Sequence, residues 1–211
     1  MLRWPAPTEV PLRVGVFGGS FNPIHFGHLL AADDVRRQVR LDRVLFIPAC
    51  HPPHKRGPLT SYRHRLAMTR LAIEGEPGSE LCPIEESRPG PSYTVDTLRE
   101  LQSLYPGAAF YLIVGSDQYR DVAAWHRPDL LTDLARVVVM SRPGVERPRL
   151  FPGHDSKRVL FRSIIPVGIS AAAIRARLAK GRSVRYMLPV RVAEYVRRHR
   201  LYRSLTTSRT A

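Results

Sequence analysis

The strongest constraint on the fold is a regular alternation of short apolar runs with segments of helical periodicity. An apolar run of strand length that stops at glycine or proline predicts a buried strand, and apolar residues spaced three and four apart predict a helix packed on it. Strands are predicted at residues 12–17, 43–47, 80–85, 109–114, 136–140 and 164–167. Helices are predicted at residues 27–40, 61–74, 93–104, 117–134 with a break at Pro128, 171–180 and 189–199.

This alternation predicts an α/β fold. Strand–helix–strand units close as right-handed crossovers, so the strands form a mainly parallel, doubly wound sheet that helices cover on both faces. At 211 residues we expect a single domain with a core at about residues 12–202, a small C-terminal helical extension and a flexible tail at residues 203–211. Ligands of such sheets bind beyond the carboxyl ends of the strands. The chemistry is therefore expected in the segments that directly follow each strand.

Composition excludes several classes of protein. The two cysteines, Cys50 and Cys82, are 32 positions apart, which excludes a disulfide framework and a paired-cysteine zinc cluster. No apolar run approaches the roughly 20 residues that span a bilayer. Prolines interrupt the N-terminal segment before the apolar core of a signal peptide could form. A cytoplasmic location without a membrane partner is the expectation.

The net charge of +15 indicates an anionic partner, and this charge is unevenly distributed. Residues 1–141 contain 16 basic and 15 acidic side chains, whereas residues 142–211 contain 17 basic and 3 acidic ones. Thirty of the 33 basic residues are arginine, whose planar guanidinium matches phosphate groups. A phosphate-rich substrate and a solvated basic surface both account for this excess.

The segment after the first predicted strand, GGSFNPIHFGH at residues 18–28, has the composition of a phosphate site. Its glycines allow the backbone to approach a bulky anion. A helix that begins near Gly27 directs its free N–H groups and the positive end of its dipole to the same place. His25 and His28 are three residues apart at this helix start, so both imidazoles can contact one bound group. The spacing matches neither the dinucleotide-binding nor the P-loop fingerprint.

This segment resembles the GG-[ST]-F-[DN]-P-x-H-x-G-H motif of the HxGH nucleotidyltransferases. The motif occupies contiguous positions, which makes the resemblance specific. It implies a Rossmann-like fold and the transfer of a nucleotidyl group from ATP or CTP to an acceptor that carries a phosphate.

Four later segments are similar to those of one branch of this family, the bacterial nicotinate-nucleotide adenylyltransferases. They are HPPHK at residues 51–55, PSYTVDTL at 91–98, GSD at 115–117 with Trp125, and the C-terminal segment at 188–202. The resemblance implies adenylylation of nicotinate mononucleotide by ATP in NAD biosynthesis, which yields nicotinate adenine dinucleotide and pyrophosphate. Nicotinamide mononucleotide stays open as an alternative or additional acceptor, because an amide and a carboxylate are nearly isosteric.

Carried over position by position, the resemblance implies catalysis by His25, His28 and Arg175, with His28 stabilising charge at the α-phosphate of ATP. It also implies that Asp117 binds the adenosine ribose, although an acidic residue at a helix start is common without any ligand. The residues expected to bind ATP are Gly18, Gly19, Ser20, Phe21, His25, His28, Gly115, Asp117, Ser170, Ile174 and Arg175.

The segment ISAAAIR at residues 169–175 resembles the ISxTxIR segment of the family. Ser170 is predicted to cap the helix that follows. Arg175, in the second turn, is expected to hold the β- and γ-phosphates. This sequence has Ala172 where threonine is usual, which puts one hydroxyl contact with ATP in doubt.

A second group of residues is expected to bind the acceptor mononucleotide. Trp125 offers a flat face on which a pyridine ring can stack, with half-buried packing as the alternative. Free N–H groups at the predicted helix start suit the nicotinate carboxylate, which the resemblance assigns to the amides of Val95 and His126. Lys55 is expected to contact phosphate. The residues expected to bind nicotinate mononucleotide are Ser20, His54, Lys55, Tyr93, Thr94, Val95, Trp125 and His126.

The resemblance implies Mg²⁺ as a companion of ATP, since magnesium binds mainly through phosphates and water. No set of carboxylates in the sequence is typical of a protein metal site. A basic nucleic-acid-binding protein is the alternative from a different class, yet the chain lacks the interleaved aromatic residues of a stacking platform. We therefore expect no specific nucleic-acid partner, and the sequence leaves the oligomeric state open.

Overall fold

The computed structural model describes residues 11–53, 57 and 59–203. In this part of the chain the strands are β1 (Arg13–Gly19), β2 (Arg43–Pro48), β3 (Ser79–Leu81), β4 (Ala109–Gly115), β5 (Arg136–Ser141) and β6 (Val159–Ser163). The α-helices are α1 (Phe26–Gln38), α2 (Tyr62–Ile73), α3 (Thr94–Leu104), α4 (Ser116–Arg120), α5 (Leu131–Leu134), α6 (Ala171–Ala179) and α7 (Val190–Arg198). None of these helices is both long and apolar enough to cross a bilayer.

The six strands form one sheet in the order β3-β2-β1-β4-β5-β6, and every neighbouring pair is parallel. The chain builds the sheet outward from β1 to β3, then crosses back to β4 and builds outward to β6. This reversal places the switch point between β1 and β4, which is where doubly wound sheets bind ligands. The expected Rossmann-like, doubly wound α/β fold is confirmed.

Alternating side chains give the sheet two apolar faces. In β4, Tyr111 and Ile113 belong to one core, whereas Phe110, Leu112 and Val114 belong to the other. Helices α1, α2, α6 and α7 contribute to the first core, and α3, α4 and α5 contribute to the second. Because both faces are buried, the strands are apolar almost throughout. The expected C-terminal helical extension, α6 and α7, packs on the first face.

The edge strand lies elsewhere than the sequence predicted. A strand at residues 164–167 is wrong, because the edge strand is Val159–Ser163. Its pairing with β5 ends where the N–H of Ile164 donates to the carbonyl of Ser141, at 2.9 Å. Pro166 has no N–H with which to continue the ladder.

Two other elements are shorter than expected. β3 covers Ser79–Leu81 rather than residues 80–85. The helix predicted at residues 117–134 is divided into α4, two short 3-10 turns and α5. The break places Trp125 and His126 between the two turns, where both line a cavity at the switch point.

Candidate active site

The loop after β1 directs its carbonyl groups towards the surrounding protein. Three of these carbonyls accept hydrogen bonds: Gly19 from Ala49 N–H (2.8 Å), Ser20 from Arg65 Nη1 (2.9 Å) and Asn22 from Arg175 Nη1 (2.8 Å). In a trans peptide the N–H points opposite to the preceding carbonyl. The N–H groups of Ser20 and Phe21 therefore point away from Ala49 and Arg65, an orientation that suits contact with an anion.

Phe21 holds this loop in an unusual conformation. Its φ of +42° lies in the left-handed region, which costs a residue other than glycine about 1–3 kcal/mol. Packing supports the turn, because the buried Phe21 ring lies edge-on to Phe17 at 5.7 Å and to His28 at 5.2 Å between centroids. Gly19 is needed beside it, since a Cβ there would lie 3.1 Å from the Phe21 ring. The side chain of Phe21 is buried, so only its backbone is available to a ligand.

His25 and His28 form a stacked pair at the start of α1. Their ring centroids lie 3.8 Å apart with an interplanar angle of 25°. The His25 N–H donates to His28 Nδ1 at 3.3 Å, which assigns the proton of a neutral His28 ring to Nε2. His25 Nδ1 is buried and has no hydrogen-bond partner within the described residues. This nitrogen is therefore available to a group bound at the start of α1.

Burial keeps both imidazoles neutral. It lowers the pKa of His25 to about 4. Burial, reinforced by the neighbouring His25, lowers the pKa of His28 to about 3. Both rings are therefore uncharged at neutral pH, and His28 can donate a hydrogen bond through Nε2–H. Negative charge bound nearby would raise both pKa values, because it stabilises the protonated ring.

Gly27 lets the starts of α1 and α6 approach each other. A Cβ at Gly27 would lie 3.0 Å from the His25 ring and 3.4 Å from the carbonyl oxygen of Ile169. The next residue, Ser170, caps α6 as expected, because its Oγ accepts from the Ala173 N–H at 3.1 Å. Two helix N-termini therefore lie next to each other, and each contributes N–H groups and the positive end of its dipole.

Three further residues of α6, which the sequence analysis singled out, have different surroundings in the fold. Arg175 is half-buried and bonds the Asn22 carbonyl, so it already lies against the loop after β1. Ile174 is fully buried in the first core, and its N–H donates to the Ser170 carbonyl at 3.0 Å. The side chain and the N–H of Ile174 therefore both make contacts within the fold. Ala172 is exposed in the first turn of α6.

Gly115 ends β4, on the other side of the switch point, and Asp117 lies in the turn of helix that follows it. A Cβ at Gly115 would lie 2.5 Å from Asp117 Oδ1, so this glycine provides the space for the carboxylate. The Gly115 N–H donates to Gln118 Oε1 at 3.3 Å. Asp117 itself is exposed in the first turn of α4. Its carboxylate is accessible to a ligand bound at the ends of β1 and β4.

A mostly apolar cavity of about 150 Å³ opens beside the loop that follows β1. Its walls include Gly18, Ser20 and an aromatic group formed by Tyr93, Trp125 and His126. The rings of Tyr93 and His126 stack at 4.2 Å with an interplanar angle of 22°. Trp125 is half-buried and packs against the second core while it also lines the cavity. The half-buried packing is therefore observed, and stacking of a pyridine ring on Trp125 stays a prediction.

The start of α3 lies at the same cavity. α3 begins at Thr94, which lines the cavity, and Tyr93 is its N-cap residue. The N–H groups of Thr94, Val95 and Asp96 lie in the first turn, where a helix offers them no acceptor of its own. The side chain of Val95 is fully buried, so only its backbone can meet a ligand. This helix start can bind an anion without a formal cation.

Comparison with known proteins decides the family. Residues 16–177 match the model of the family described as cytidylyltransferase-like. Proteins described as probable nicotinate-nucleotide adenylyltransferases, from Thermus thermophilus and Thermomicrobium roseum, are 45% and 42% identical to the chain. These alignments cover 91% and 92% of this chain, and 100% and 92% of the relatives. The chain belongs to the nicotinate-nucleotide adenylyltransferase family. It is therefore a nucleotidyltransferase enzyme.

A solved structure supports the fold of this nucleotidyltransferase. The nicotinic acid mononucleotide adenylyltransferase of Plasmodium falciparum, in complex with NaAD, superimposes with a TM-score of 0.73 at 20% sequence identity. The match covers 90% of this chain and 97% of the other. A putative nicotinate-nucleotide adenylyltransferase from Vibrio parahaemolyticus gives a TM-score of 0.66 at 18% identity. At these identities the likeness concerns the fold alone.

Sequence reasoning missed three polar residues of this nucleotidyltransferase, namely the buried Arg65 and Glu85 and the half-buried Tyr202. Glu85 lines the cavity and accepts from Thr97 Oγ1 at 2.8 Å. Tyr202 donates to Asn22 Oδ1 at 2.8 Å, and burial raises the pKa of its hydroxyl to about 12. Arg65 lies on the buried side of α2, which is a signal that the sequence shows. No sequence pattern marks Glu85 or Tyr202.

His54 and Lys55, which were expected at the acceptor phosphate, lie outside the described residues. The chain enters this segment at the cavity, because Pro52 and Pro53 both line it. The expectation for His54 and Lys55 stays a prediction.

Proposed function

We propose that this nucleotidyltransferase transfers AMP from ATP to nicotinate mononucleotide and forms nicotinate adenine dinucleotide and pyrophosphate in NAD biosynthesis. The observation that carries the proposal is the junction of two sites at the switch point. One site presents N–H groups, two imidazoles and Arg175; the other is an aromatic cavity that ends at the start of α3. A reaction between a triphosphate and a pyridine mononucleotide needs both sites side by side.

On the donor side, neutral hydrogen-bond donors and one cation would hold the triphosphate. The N–H groups of Ser20 and Phe21 and the starts of α1 and α6 meet phosphate oxygens, while Arg175 pairs with the β- and γ-phosphates. His28 donates through Nε2–H at the α-phosphate. Phosphoryl transfer spreads charge over the phosphate oxygens, so donors held in place before the reaction stabilise the transition state.

The reacting groups need positioning more than activation. An oxygen of the 5′-phosphate of the mononucleotide forms a bond to the α-phosphorus. The bond from that phosphorus to the bridging oxygen breaks, and pyrophosphate leaves with the electron pair. A phosphate oxygen is already a nucleophile at neutral pH, so the chain has to align it rather than remove a proton.

The cavity would orient the acceptor for this attack. The pyridine ring stacks against Trp125 and beside the pair of Tyr93 and His126. The nicotinate carboxylate accepts from first-turn N–H groups of α3 and from the amide of His126. His54 and Lys55 would contact the phosphate of the mononucleotide.

The metal is proposed to be Mg²⁺ that enters with ATP. Enzymes of this kind generally use a divalent metal with the nucleotide. Across the described ranges no group of three or more His, Cys, Asp or Glu side chains could hold a metal ion. Mg²⁺ bound with ATP would be held mainly by phosphate oxygens and water. When bound, it would supply charge neutralisation for the leaving pyrophosphate, while Arg175 and the helix N-termini orient the triphosphate.

We also propose that the chain is one nucleotidyltransferase domain that works in the cytoplasm. The family match extends over residues 16–177, and α6 and α7 pack on the same sheet. Cys50 and Cys82 are both free thiols, as is usual in a reducing compartment.

Release of pyrophosphate, measured with ATP and each mononucleotide in turn, tests the reaction. We expect a higher kcat/KM for nicotinate than for nicotinamide mononucleotide, because the helix start at α3 favours an anion. Preference for the amide would contradict the substrate assignment. Absence of pyrophosphate with either mononucleotide would contradict the reaction itself.

A further inference from the structure

Arg65 lies buried beneath the loops that carry the two proposed substrate sites. It belongs to α2, and only 1% of its surface is exposed. Its guanidinium donates to three backbone carbonyls: Nε to Thr60 (2.9 Å), Nη1 to Ser20 (2.9 Å) and Nη2 to Cys50 (3.2 Å). Each nitrogen of the guanidinium therefore has an acceptor.

Burial of the Arg65 guanidinium costs free energy, because a charged group is removed from water. No carboxylate lies within ion-pair distance of Arg65 in the part of the chain that the structure describes. Desolvation lowers its pKa, although a guanidinium stays charged. Its buried neighbours in α2 include Met68 and Ile73, and an apolar side chain is often as stable or more stable than a buried charge. What the guanidinium provides, and an apolar side chain would not, is a donor for each of three backbone carbonyls.

The three carbonyls belong to the two loops that must meet during the reaction. The Ser20 carbonyl lies within residues 18–22, the end of β1 and the turn that follows it, which we call the donor loop. We call the described residues 50–53, 57, 59 and 60 the acceptor loop; Cys50 and Thr60 are its first and last residues. Pro52 and Pro53 of the acceptor loop line the cavity, and His54 and Lys55, which are proposed to contact the acceptor phosphate, follow them in the sequence. Arg65 bonds the donor loop and both ends of the acceptor loop at once.

We propose that Arg65 is a positioning residue that sets the distance between the donor loop and the acceptor loop. The roles of the loops rest on the proposed function. Arg65 touches neither substrate; it orients the Ser20–Phe21 peptide and holds the ends of the acceptor loop, so that the acceptor phosphate lies in line with the α-phosphorus. Misplacement by about 1 Å reduces the rate of such a reaction by about 10²-fold.

The kinetic test uses Arg65→Lys, which keeps the charge but replaces three diverging planar donors by one ammonium. We expect kcat to fall by about 10²-fold, with smaller changes in the KM values of ATP and the mononucleotide. Arg70→Lys, at an exposed position of the same helix, is the matched control and keeps the wild-type rate. A folded Arg65→Lys variant with wild-type kcat would overturn the proposal, even if its melting temperature is lower.

A second variant separates geometry from charge. Arg65→Gln is neutral, and its single amide group cannot bond all three carbonyls. It is expected to lose kcat as Arg65→Lys does. Loss in the glutamine variant together with a wild-type rate in the lysine variant would show that charge, not positioning, is what matters, and would overturn the proposal.

Amide hydrogen exchange provides a readout that does not depend on activity. In Arg65→Lys we expect faster exchange in residues 18–22 and 49–51, with unchanged exchange in β4 and β5. Unchanged exchange in both loops would overturn the proposal. If the wild-type protein released no pyrophosphate, the proposed function would fail, while the exchange experiment would still decide the role of Arg65.

Discussion

His28 can serve a substrate through one nitrogen only. Its Nδ1 accepts from the His25 N–H, so Nε2–H is the remaining donor. We predict that His28→Ala lowers kcat by about 10²–10³-fold, as loss of one preorganised donor to a developing charge does, in a protein that still folds. Pyrophosphate release measures the rate, and His199→Ala, an exposed histidine of the C-terminal region, is the control. A near wild-type rate would remove His28 from the chemistry.

The neutral state of His25 and His28 makes the fold sensitive to acid. Both groups titrate near 6.5 when unfolded but have pKa values of about 4 and 3 in the fold. The unfolded state therefore binds more protons below pH 6.5, and the free energy of unfolding decreases as the pH falls. The loss is at most about 1.4 kcal/mol per pH unit for each histidine.

Denaturant unfolding from pH 6.5 down to about 4 measures this dependence. We expect a smaller slope in the double variant His25→Asn, His28→Asn than in the wild type. The exposed His51→Asn variant serves as the control. Equal slopes in the double variant and the wild type would rule out the pair as the cause.

Trp125 is predicted to discriminate between the two substrates. It lines the acceptor cavity and packs partly on the second core. Trp125→Ala should raise the KM of the mononucleotide more than that of ATP, because only the pyridine ring stacks on it. Trp125→Phe retains an aromatic face and should recover part of the loss. The opposite order of the two KM changes would contradict the stacking role.

At the scale of elements, α6 differs from the family pattern at its first turn. Ala172 is exposed there, next to the Ser170 cap, where threonine is usual. We predict that Ala172→Thr lowers the KM of ATP by about 2–10-fold, which corresponds to one hydrogen bond of about 0.5–1.5 kcal/mol. Ala176→Thr, exposed later in the same helix, is the matched control. An unchanged KM in Ala172→Thr would mean that the hydroxyl makes no contact with ATP here.

The division of the predicted helix at residues 117–134 shows where element prediction fails. Trp125 and His126 occur in a stretch of helical composition, and only the 3-10 turns on either side direct them to the cavity. Turn geometry of this kind depends on packing against distant segments. His154, for example, has one ring nitrogen 2.9 Å from the Tyr119 hydroxyl and the other 2.8 Å from the Pro128 carbonyl.

At the scale of the whole molecule, the basic surface supports an anionic substrate without identifying it. Arg197, Arg198, Arg200 and Arg203 are exposed near the C-terminal end of the described chain. We predict weak, sequence-independent binding of duplex DNA that declines steeply between roughly 50 and 200 mM salt, as phosphate contacts with counterion release do. Fluorescence anisotropy with a random duplex measures it. Sub-micromolar affinity at physiological salt, together with no pyrophosphate release, would favour a nucleic-acid-binding function.

Local signals were sufficient for the architecture and for the candidate donor residues around α1. Apolar runs and helical periodicity predicted five of the six strand positions at least in part, and the GGSFNPIHFGH segment predicted the helix start at α1 with its two histidines. These features are encoded by neighbours in the chain, because strand burial, helix capping and glycine turns act over a few residues.

Only the tertiary structure decided how the two proposed substrate sites are joined. The sequence by itself determined the doubly wound sheet, the paired histidines and the cap at Ser170. It could not reveal that Arg65 reaches carbonyls 15 and 45 positions away, or that Tyr202 bonds Asn22 across 180 positions. Such contacts form when the switch point brings the ends of β1, β2 and β4 together, and no local pattern encodes that distance.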